Sequence, residues 1–291
     1  MIVFVRNGDM MSKATLLENT IPREDKEQII ALYQQNYSLR QIEKEVGYSR
    51  SAISRMLERL NVKTTKGNHY RKYFFNFDFF KVIDTPNKAY WLGFLYADGC
   101  ILSSKYGEQS FKLALAEQDK EILEKFKQDL SSSYPIRYDN SKNIKNKKWQ
   151  KQCLIEMRSQ KTVDDLKKLG CVERKSLILN FPSSKQVPNE YIYHFIRGYF
   201  DGDGSISYYE KKNSYTLSFV GTESFIKCLS NYFLGGSVFA DSRKTNSWYL
   251  TIGGNKQIAD AYYKIYKDAD GLYLKRKHDK FQQLLLKYSE S

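Results

Sequence analysis

Histidine is scarce in this chain. His69, His194 and His278 are the only three in 291 residues and lie far apart, which gives little basis for a histidine-ligated metal nuclease or a Ser-His-Asp hydrolase. Cysteine is equally uninformative. Cys100, Cys153, Cys171 and Cys228 form no C-x-x-C pair, so neither a zinc ribbon nor a disulfide framework is indicated, and a reducing compartment fits. No apolar run approaches the roughly 18 residues of a membrane-spanning helix. The opening MIVFV is too short and wrongly flanked for a signal peptide. A cytoplasmic or organellar location is therefore expected, with Met10 or Met11 as an alternative start. Any chemistry must rest on carboxylates and lysines.

What the chain has in excess is positive charge. Lys and Arg number 47 against 33 Asp and Glu, a formal net charge of +14, which points to a polyanionic partner because each neutralised phosphate releases condensed counterions. Nucleic acid is the leading partner, and no membrane association is expected. An apolar fraction of 41% supplies a core, and the length allows one large domain with a small one in front.

The small module is helical. Pro22 to Gln35, Leu39 to Val46 and Arg50 to Leu60 each carry a helical pattern, with Gly47 and Tyr48 turning the chain between the last two. Ile29, Ile30, Leu32 and Tyr33 are expected to pack on Ile42, Val46, Ile53, Met56 and Leu57. This helix-turn-helix order leaves Ser49, Arg50, Ser51, Ser54 and Arg55 for groove or phosphate contacts. Asn61 to Lys72 is polar and basic and reads as an extended linker, whereas the aromatic run Tyr73 to Ile83 reads as packing onto the next domain. Thr85 and Pro86 then mark a helix entry, the first as cap and the second in the first turn.

The strongest signal is a phrase that occurs twice: WLGFLYADG, Trp91 to Gly99, and IRGYFDGDG, Ile196 to Gly204. Each copy sets a small residue four positions after a glycine, Gly93 with Ala97 and Gly198 with Gly202, then an aspartate and a closing glycine. Residues four apart share a helix face, so two such helices can approach more closely than the usual separation of about 8 to 10 Å. Asp98 and Asp203 then fall in the last turn, where the helix dipole disfavours a carboxylate by up to roughly 1 kcal/mol. Two such acids repel each other unless a divalent cation, for which hard oxygen ligands are suited, lies between them. A single Asp-Gly is an ordinary helix stop. Its repetition 105 positions later, with the same step from glycine to aspartate, makes capping alone a poor explanation.

From Asn87 to its C-terminus the chain resembles the LAGLIDADG homing endonucleases of the single-chain, two-repeat kind. The resemblance implies that Asp98 and Asp203 are the catalytic metal ligands, with Mg2+ or Mn2+ as cofactor. It further implies site-specific double-strand cleavage of DNA across the minor groove with short 3′ overhangs, by a monomer. Lys175 and Lys277 match the family's active-site lysine, and Gln118 and Glu223 are weaker candidates for positioning water. The first copy departs from the motif at Tyr96, where the second keeps Asp201; that position is not the main ligand.

After each motif the same order of elements recurs. Strand signals at Ser110 to Ala116, Tyr134 to Tyr138 and Cys153 to Arg158 alternate with helices at Lys120 to Leu130 and Thr162 to Leu169. The second copy has strands at Ser205 to Tyr209, Tyr215 to Val220, Ser237 to Ala240 and Trp248 to Ile252, with helices at Ser224 to Phe233 and Lys256 to Tyr266. The expected fold class is α+β: a three-helix helix-turn-helix followed by a duplicated αββαββα saddle with pseudo-two-fold symmetry. The corresponding segments are 1–21 (extension), 22–60 (helix-turn-helix), 61–84 (linker), 85–185 and 186–291 (first and second repeats). Outward strand positions are the expected base readers, and Lys147, Lys148, Lys211, Lys212, Arg243 and Lys244 are expected at hairpin tips that reach the DNA flanks. A transcriptional regulator with a non-cleaving saddle remains open, as does an intron maturase acting on RNA. The paired acids argue against the first and the helix-turn-helix against the second.

Overall fold

The computed structural model describes residues 4–6, 9–11, 21–34, 37–62, 72–103, 109–139, 151–210 and 214–289. It separates into two compact units, Met1–Lys72 and Tyr73–Ser291. In the first, a short antiparallel pair, β1 (Phe4–Arg6) and β2 (Asp9–Met11), precedes three helices: α1 (Arg23–Gln34), α2 (Leu39–Val46) and α3 (Arg50–Arg59).

Local sequence explains the boundaries of these helices. Ser38 opens α2 with a capping box, its side chain accepting from the Gln41 N–H while the Gln41 side chain accepts from the Ser38 N–H. Gly47 closes it in the left-handed conformation, φ +77°. Ser49 caps α3 by accepting from the Ala52 N–H. Ile29, Ile42, Val46, Tyr48, Ile53, Met56 and Leu57 are buried together, with Ile30, Leu32 and Tyr33 at the margin. The apolar periodicity had indicated this core, although Tyr48 is a core residue as well as a turn residue.

The second unit contains two copies of one arrangement. The first comprises α4 (Pro86–Asp98), β3 (Gly99–Ser103), β4 (Gln109–Ala116), α5 (Lys120–Asp129), β5 (Arg137–Asp139), β6 (Gln152–Arg158) and α6 (Gln160–Lys168). The second comprises α7 (Ile192–Asp203), β7 (Ser205–Tyr209), β8 (Ser214–Gly221), α8 (Glu223–Ser230), β9 (Gly236–Ala240), β10 (Trp248–Gly253) and α9 (Asn255–Tyr266), and α10 (Lys275–Ser289) closes it. Each copy forms a four-stranded antiparallel sheet, ordered β3-β4-β6-β5 and β7-β8-β10-β9. Strand β3 was not expected from the sequence: GCILS holds a single strong strand former, Ile101, whereas its counterpart β7, SISYY, adds two tyrosines to Ile206. The first-repeat edge strand is also shorter and later than the expected Tyr134 to Tyr138.

One core runs through both repeats. Alternate strand residues such as Phe111, Leu113, Ile155 and Met157, and Leu217, Phe219, Leu250 and Ile252, point into it, as a half-buried sheet requires. The aromatic run is part of it: Phe75, Phe79, Phe80 and Ile83 are buried, and the Asn76 N–H donates to the Leu130 carbonyl at 2.8 Å. At the head of α4, Thr85 accepts from the Lys88 N–H and Pro86 occupies the first turn.

Candidate active site

The two motif helices α4 and α7 pack backbone to backbone. A Cβ placed on Gly93 would lie 2.0 Å from the Phe195 carbonyl oxygen, and one on Gly198 would lie 1.9 Å from that of Tyr90. Tyr90 and Phe195 each precede the glycine of their own helix by three positions, so the contact is reciprocal. A Cβ on Gly202 would meet the Ala97 Cβ at 2.2 Å and the Asp98 Oδ2 at 3.2 Å. The small residues thus bring the C-terminal ends of both helices together, and with them Asp98 and Asp203.

Both aspartates remain exposed to solvent at the surface, although each is hemmed by protein where the helices meet. That crowding pushes the Asp98 carboxyl up to about 6, through loss of hydration first and repulsion from Asp203 second, while Lys277, Lys175 and Arg276 oppose the rise. Asp203 is also raised by loss of hydration, against Lys175 and Lys277. The two acids therefore form a coupled pair in which ionisation of one opposes ionisation of the other.

The two matched lysines are placed differently. Lys175 is half-buried and donates to the Ala97 carbonyl at 2.8 Å, which takes one of its three N–H donors. It follows Arg174, whose φ of +52° is left-handed, a conformation that costs a non-glycine residue about 1 kcal/mol. Lys175 and Asp203 border a cavity of about 430 Å3 together with Tyr199, Thr222, Lys244 and Asn246. Lys277 is buried. Its Nζ lies within hydrogen-bond distance of four carbonyls, those of Phe200 (2.7 Å), Asp201 (2.7 Å), Gly202 (3.0 Å) and Gly204 (2.6 Å).

Burial pulls the Lys277 ammonium down to about 8. Four acceptors at the negative end of a helix nonetheless favour the charged form, so it is an ammonium at neutral pH. Lys277 departs from the expectation that it faces a phosphate: it closes the end of α7 on which Asp203 sits.

The residue at the motif's sixth position is an internal tie in both copies, and in the second it also reaches across to the first motif helix. Asp201, fully buried, accepts from the Tyr90 and Tyr266 hydroxyls, each at 2.9 Å, and from the Leu274 N–H at 2.8 Å. Tyr96 instead donates its hydroxyl to the Leu169 carbonyl. Neither side chain opens to solvent, so the tyrosine is a structural alternative to the aspartate. Arg197, buried four positions before Asp201, donates to the Leu272 and Ile265 carbonyls at 3.0 and 3.1 Å.

The remaining expected residues are dispersed. Gln118 borders a separate cavity of about 260 Å3 that Asp119 and Arg276 also line. Glu223 is half-committed, its carboxylate accepting from Lys227 at 2.6 Å. Ser49 serves as a cap, Arg50 pairs with Glu43 at 3.1 Å, and Ser51 and Arg55 are exposed on α3 with Ser54 partly so. Arg243 pairs with Asp241 at 3.1 Å, and Lys244 borders the Asp203 cavity. Lys147, Lys148, Lys211 and Lys212 lie outside the described residues.

Arg276 was not singled out from the sequence. Its Nε contacts both oxygens of the buried Asp119 at 3.1 Å, joining the two repeats; its position directly before Lys277 was the available signal.

No family model and no curated protein matches the sequence. Solved structures similar to the chain include that of the I-LtrWI LAGLIDADG homing endonuclease bound to target DNA, at 12% identity, a TM-score of 0.48 and coverage of 74% of this chain and 91% of that one. Another is the I-SmaMI LAGLIDADG homing endonuclease bound to cleaved DNA, at 14% identity, a TM-score of 0.47 and coverage of 69% and 87%. Their family is the one the duplicated motif resembles. A third is I-SmaMI bound to an uncleaved DNA target in the presence of calcium ions, at 14% identity and a TM-score of 0.42, covering 62% and 85%.

Among the described residues no group of three or more His, Cys, Asp or Glu could hold a metal ion, and no helix is long and apolar enough to cross a membrane. The donor set at the helix ends is two carboxylates. It fits a hard cation such as magnesium, which is held by one or two carboxylates and keeps water and substrate oxygens as its other ligands.

Proposed function

We propose that the chain is a site-specific double-strand DNA endonuclease of the LAGLIDADG homing type, with Asp98 and Asp203 as its divalent-metal ligands. The observation that carries this reading is the pairing of two raised carboxylates at the ends of helices in backbone contact. An arrangement that costs electrostatic energy in the bare protein is accounted for by a cation that relieves it. Bound there, magnesium or manganese would supply an activated water and neutralise the leaving oxygen.

The chain's own residues have separate tasks in this reading. Asp98 and Asp203 fix the site at the junction of the repeats. Lys175 places positive charge on the cavity beside Asp203, where charge developing on a phosphate is stabilised. Lys277 positions Asp203 by holding the last carbonyls of α7. The outward faces of the two sheets lie on the DNA major groove, and the module at residues 22–60 lengthens the recognised site, each raising the effective concentration of the other once bound.

The test is incubation with duplex DNA carrying the uninterrupted locus at which the gene resides, in magnesium, in manganese and in chelator. Double-strand cuts are expected with either metal and none with chelator, while Asp98→Asn and Asp203→Asn bind without cutting. A wild-type chain that binds this DNA and never cuts it, indistinguishably from Asp98→Asn, is a regulator. Preferential binding of structured RNA identifies a maturase.

A further inference from the structure

The two sheets share one strand order, yet the faces they turn away from the core are chemically unlike. In the first sheet the residues that alternate with buried Phe111, Ile155 and Met157 include Lys112, Glu156 and Arg158, all partly or fully exposed, beside the apolar pair Ala114 and Leu154. Lys112 stands opposite Glu156, and Arg158 opposite Ser110, whose hydroxyl donates to Glu156 at 3.0 Å. In the second sheet a single row, Ser205–Ser218–Thr251–Ser237, crosses all four strands. The Ser218 and Thr251 hydroxyls lie 3.4 Å apart. Ser207 and Thr216 form the adjacent pair. Among the described residues, no Lys, Arg, Asp or Glu stands on the outward face of these four strands.

The difference matters because the two sets read base pairs differently. A guanidinium or ammonium meets the O6 and N7 acceptors of guanine, and a carboxylate accepts from the cytosine amino group, each contact discriminating strongly against other bases. A serine or threonine hydroxyl both donates and accepts, so it tolerates any base edge and is often bridged by water. Long charged chains thus demand particular pairs, and a flat hydroxyl row does not.

Building on the endonuclease reading, we propose that the two halves of the DNA target are read by different means. The half under the first sheet carries fixed G·C pairs opposite Lys112, Glu156 and Arg158. The half under the second sheet is degenerate opposite the serine-threonine row. The enzyme's tolerance of target variation is therefore one-sided.

Selection of bound duplexes by the full chain, from a library randomised across its centre and in the presence of chelator, tests this. Fixed G or C is expected at clustered positions on one side of the centre, with several bases accepted on the other. The double variant Lys112→Gln/Arg158→Gln relaxes those fixed positions, lowering discrimination there roughly 10- to 100-fold. The variant Ser218→Ala/Thr251→Val, matched to the wild type in thermal unfolding, shifts base preference at any position by less than about threefold. Positions read by residues 22–60 move in neither variant, which separates that module from the sheets. Equal stringency on both sides, or relaxation of the same positions by both variants, overturns the inference and leaves the endonuclease reading standing. Enrichment of no duplex at all overturns both.

Discussion

Gly198 lies so close to Tyr90 that any side chain on it would collide with the Tyr90 backbone: a Cβ would stand 1.9 Å from the carbonyl oxygen. The contact is made between main chains, which no rotamer change can relieve. Because α4 and α7 each carry one candidate metal ligand at their last residue, this contact sets where the two acids meet.

Replacing Gly198 or Gly93 with alanine therefore forces the motif helices apart. A loss of more than about 3 kcal/mol is expected, above the usual cost of overpacking because the clash is with backbone. Gly253→Ala, where nothing lies within 4 Å, serves as the control and should change stability by no more than about 0.5 kcal/mol. Denaturant unfolding of the three variants measures both effects.

Removing one of the two facing acids stabilises the metal-free protein. Loss of hydration and the neighbouring Asp203 push the Asp98 carboxyl up to about 6 in the folded chain, against about 3.9 for an unperturbed aspartate. Between those pH values the folded state holds a proton that the unfolded state has lost, so stability falls as pH rises through this window and the full penalty applies above it. Asp98→Asn should recover roughly 1 kcal/mol at pH 7.5 in chelator, discounted because the residue is exposed. That is about 2 to 4 °C in melting temperature. At pH 4 the gain should vanish. A variant less stable than wild type at pH 7.5 would count against the repulsion.

Magnesium should reverse that order. A ligand present at 100 times its dissociation constant adds about 2.7 kcal/mol. Wild-type melting should climb with magnesium concentration, whereas Asp98→Asn/Asp203→Asn stays flat. Below pH 6 the wild-type response should weaken as Asp98 takes up its proton.

The two lysines should separate in stability. Lys277→Met strands four carbonyls at the end of α7, a loss of roughly 3 kcal/mol or more, with cleavage lost as Asp203 shifts. Lys175→Met frees one carbonyl and should cost about 1 kcal/mol, while its loss of cutting rate persists under conditions where the variant is fully folded. Comparable unfolding midpoints for the two variants would place Lys277 at the surface rather than under the helix.

The three-helix unit and the two-repeat unit each have their own core. A chain beginning at Tyr73 should therefore fold and cut, with weaker DNA binding and a shallower dependence of log affinity on log salt, by about 0.9 for each phosphate contact removed. An unchanged slope would show that residues 22–60 do not touch DNA.

Much of this was legible because it is local or periodic. The Thr85–Pro86 helix entry, the Gly47 stop and the strand signals of β4 and β8 are properties of a few neighbouring residues. The glycine-to-aspartate step announced the helix contact because small residues four apart have one steric consequence. Strand β3 escaped notice because Ile101 is its one strong strand former, whereas β7, entered from its helix in the same way, carries Ile206, Tyr208 and Tyr209. Lys175 and Lys277 had matched positions in sequence, yet one reaches a cavity and the other is buried. That difference depends on how α10 packs against the end of α7, which no local pattern encodes.

The sequence by itself determined the duplication, the two aspartates, the basic charge and the separate helical module, since spacing, composition and caps suffice for each. Only the tertiary structure decided that the acids share one crowded site, that Asp201 and Tyr96 are internal ties, and that the two sheets present unlike faces. Those outcomes depend on which distant residues exclude water from one another. Burial, and the charge interactions it strengthens, exist only once the repeats have packed.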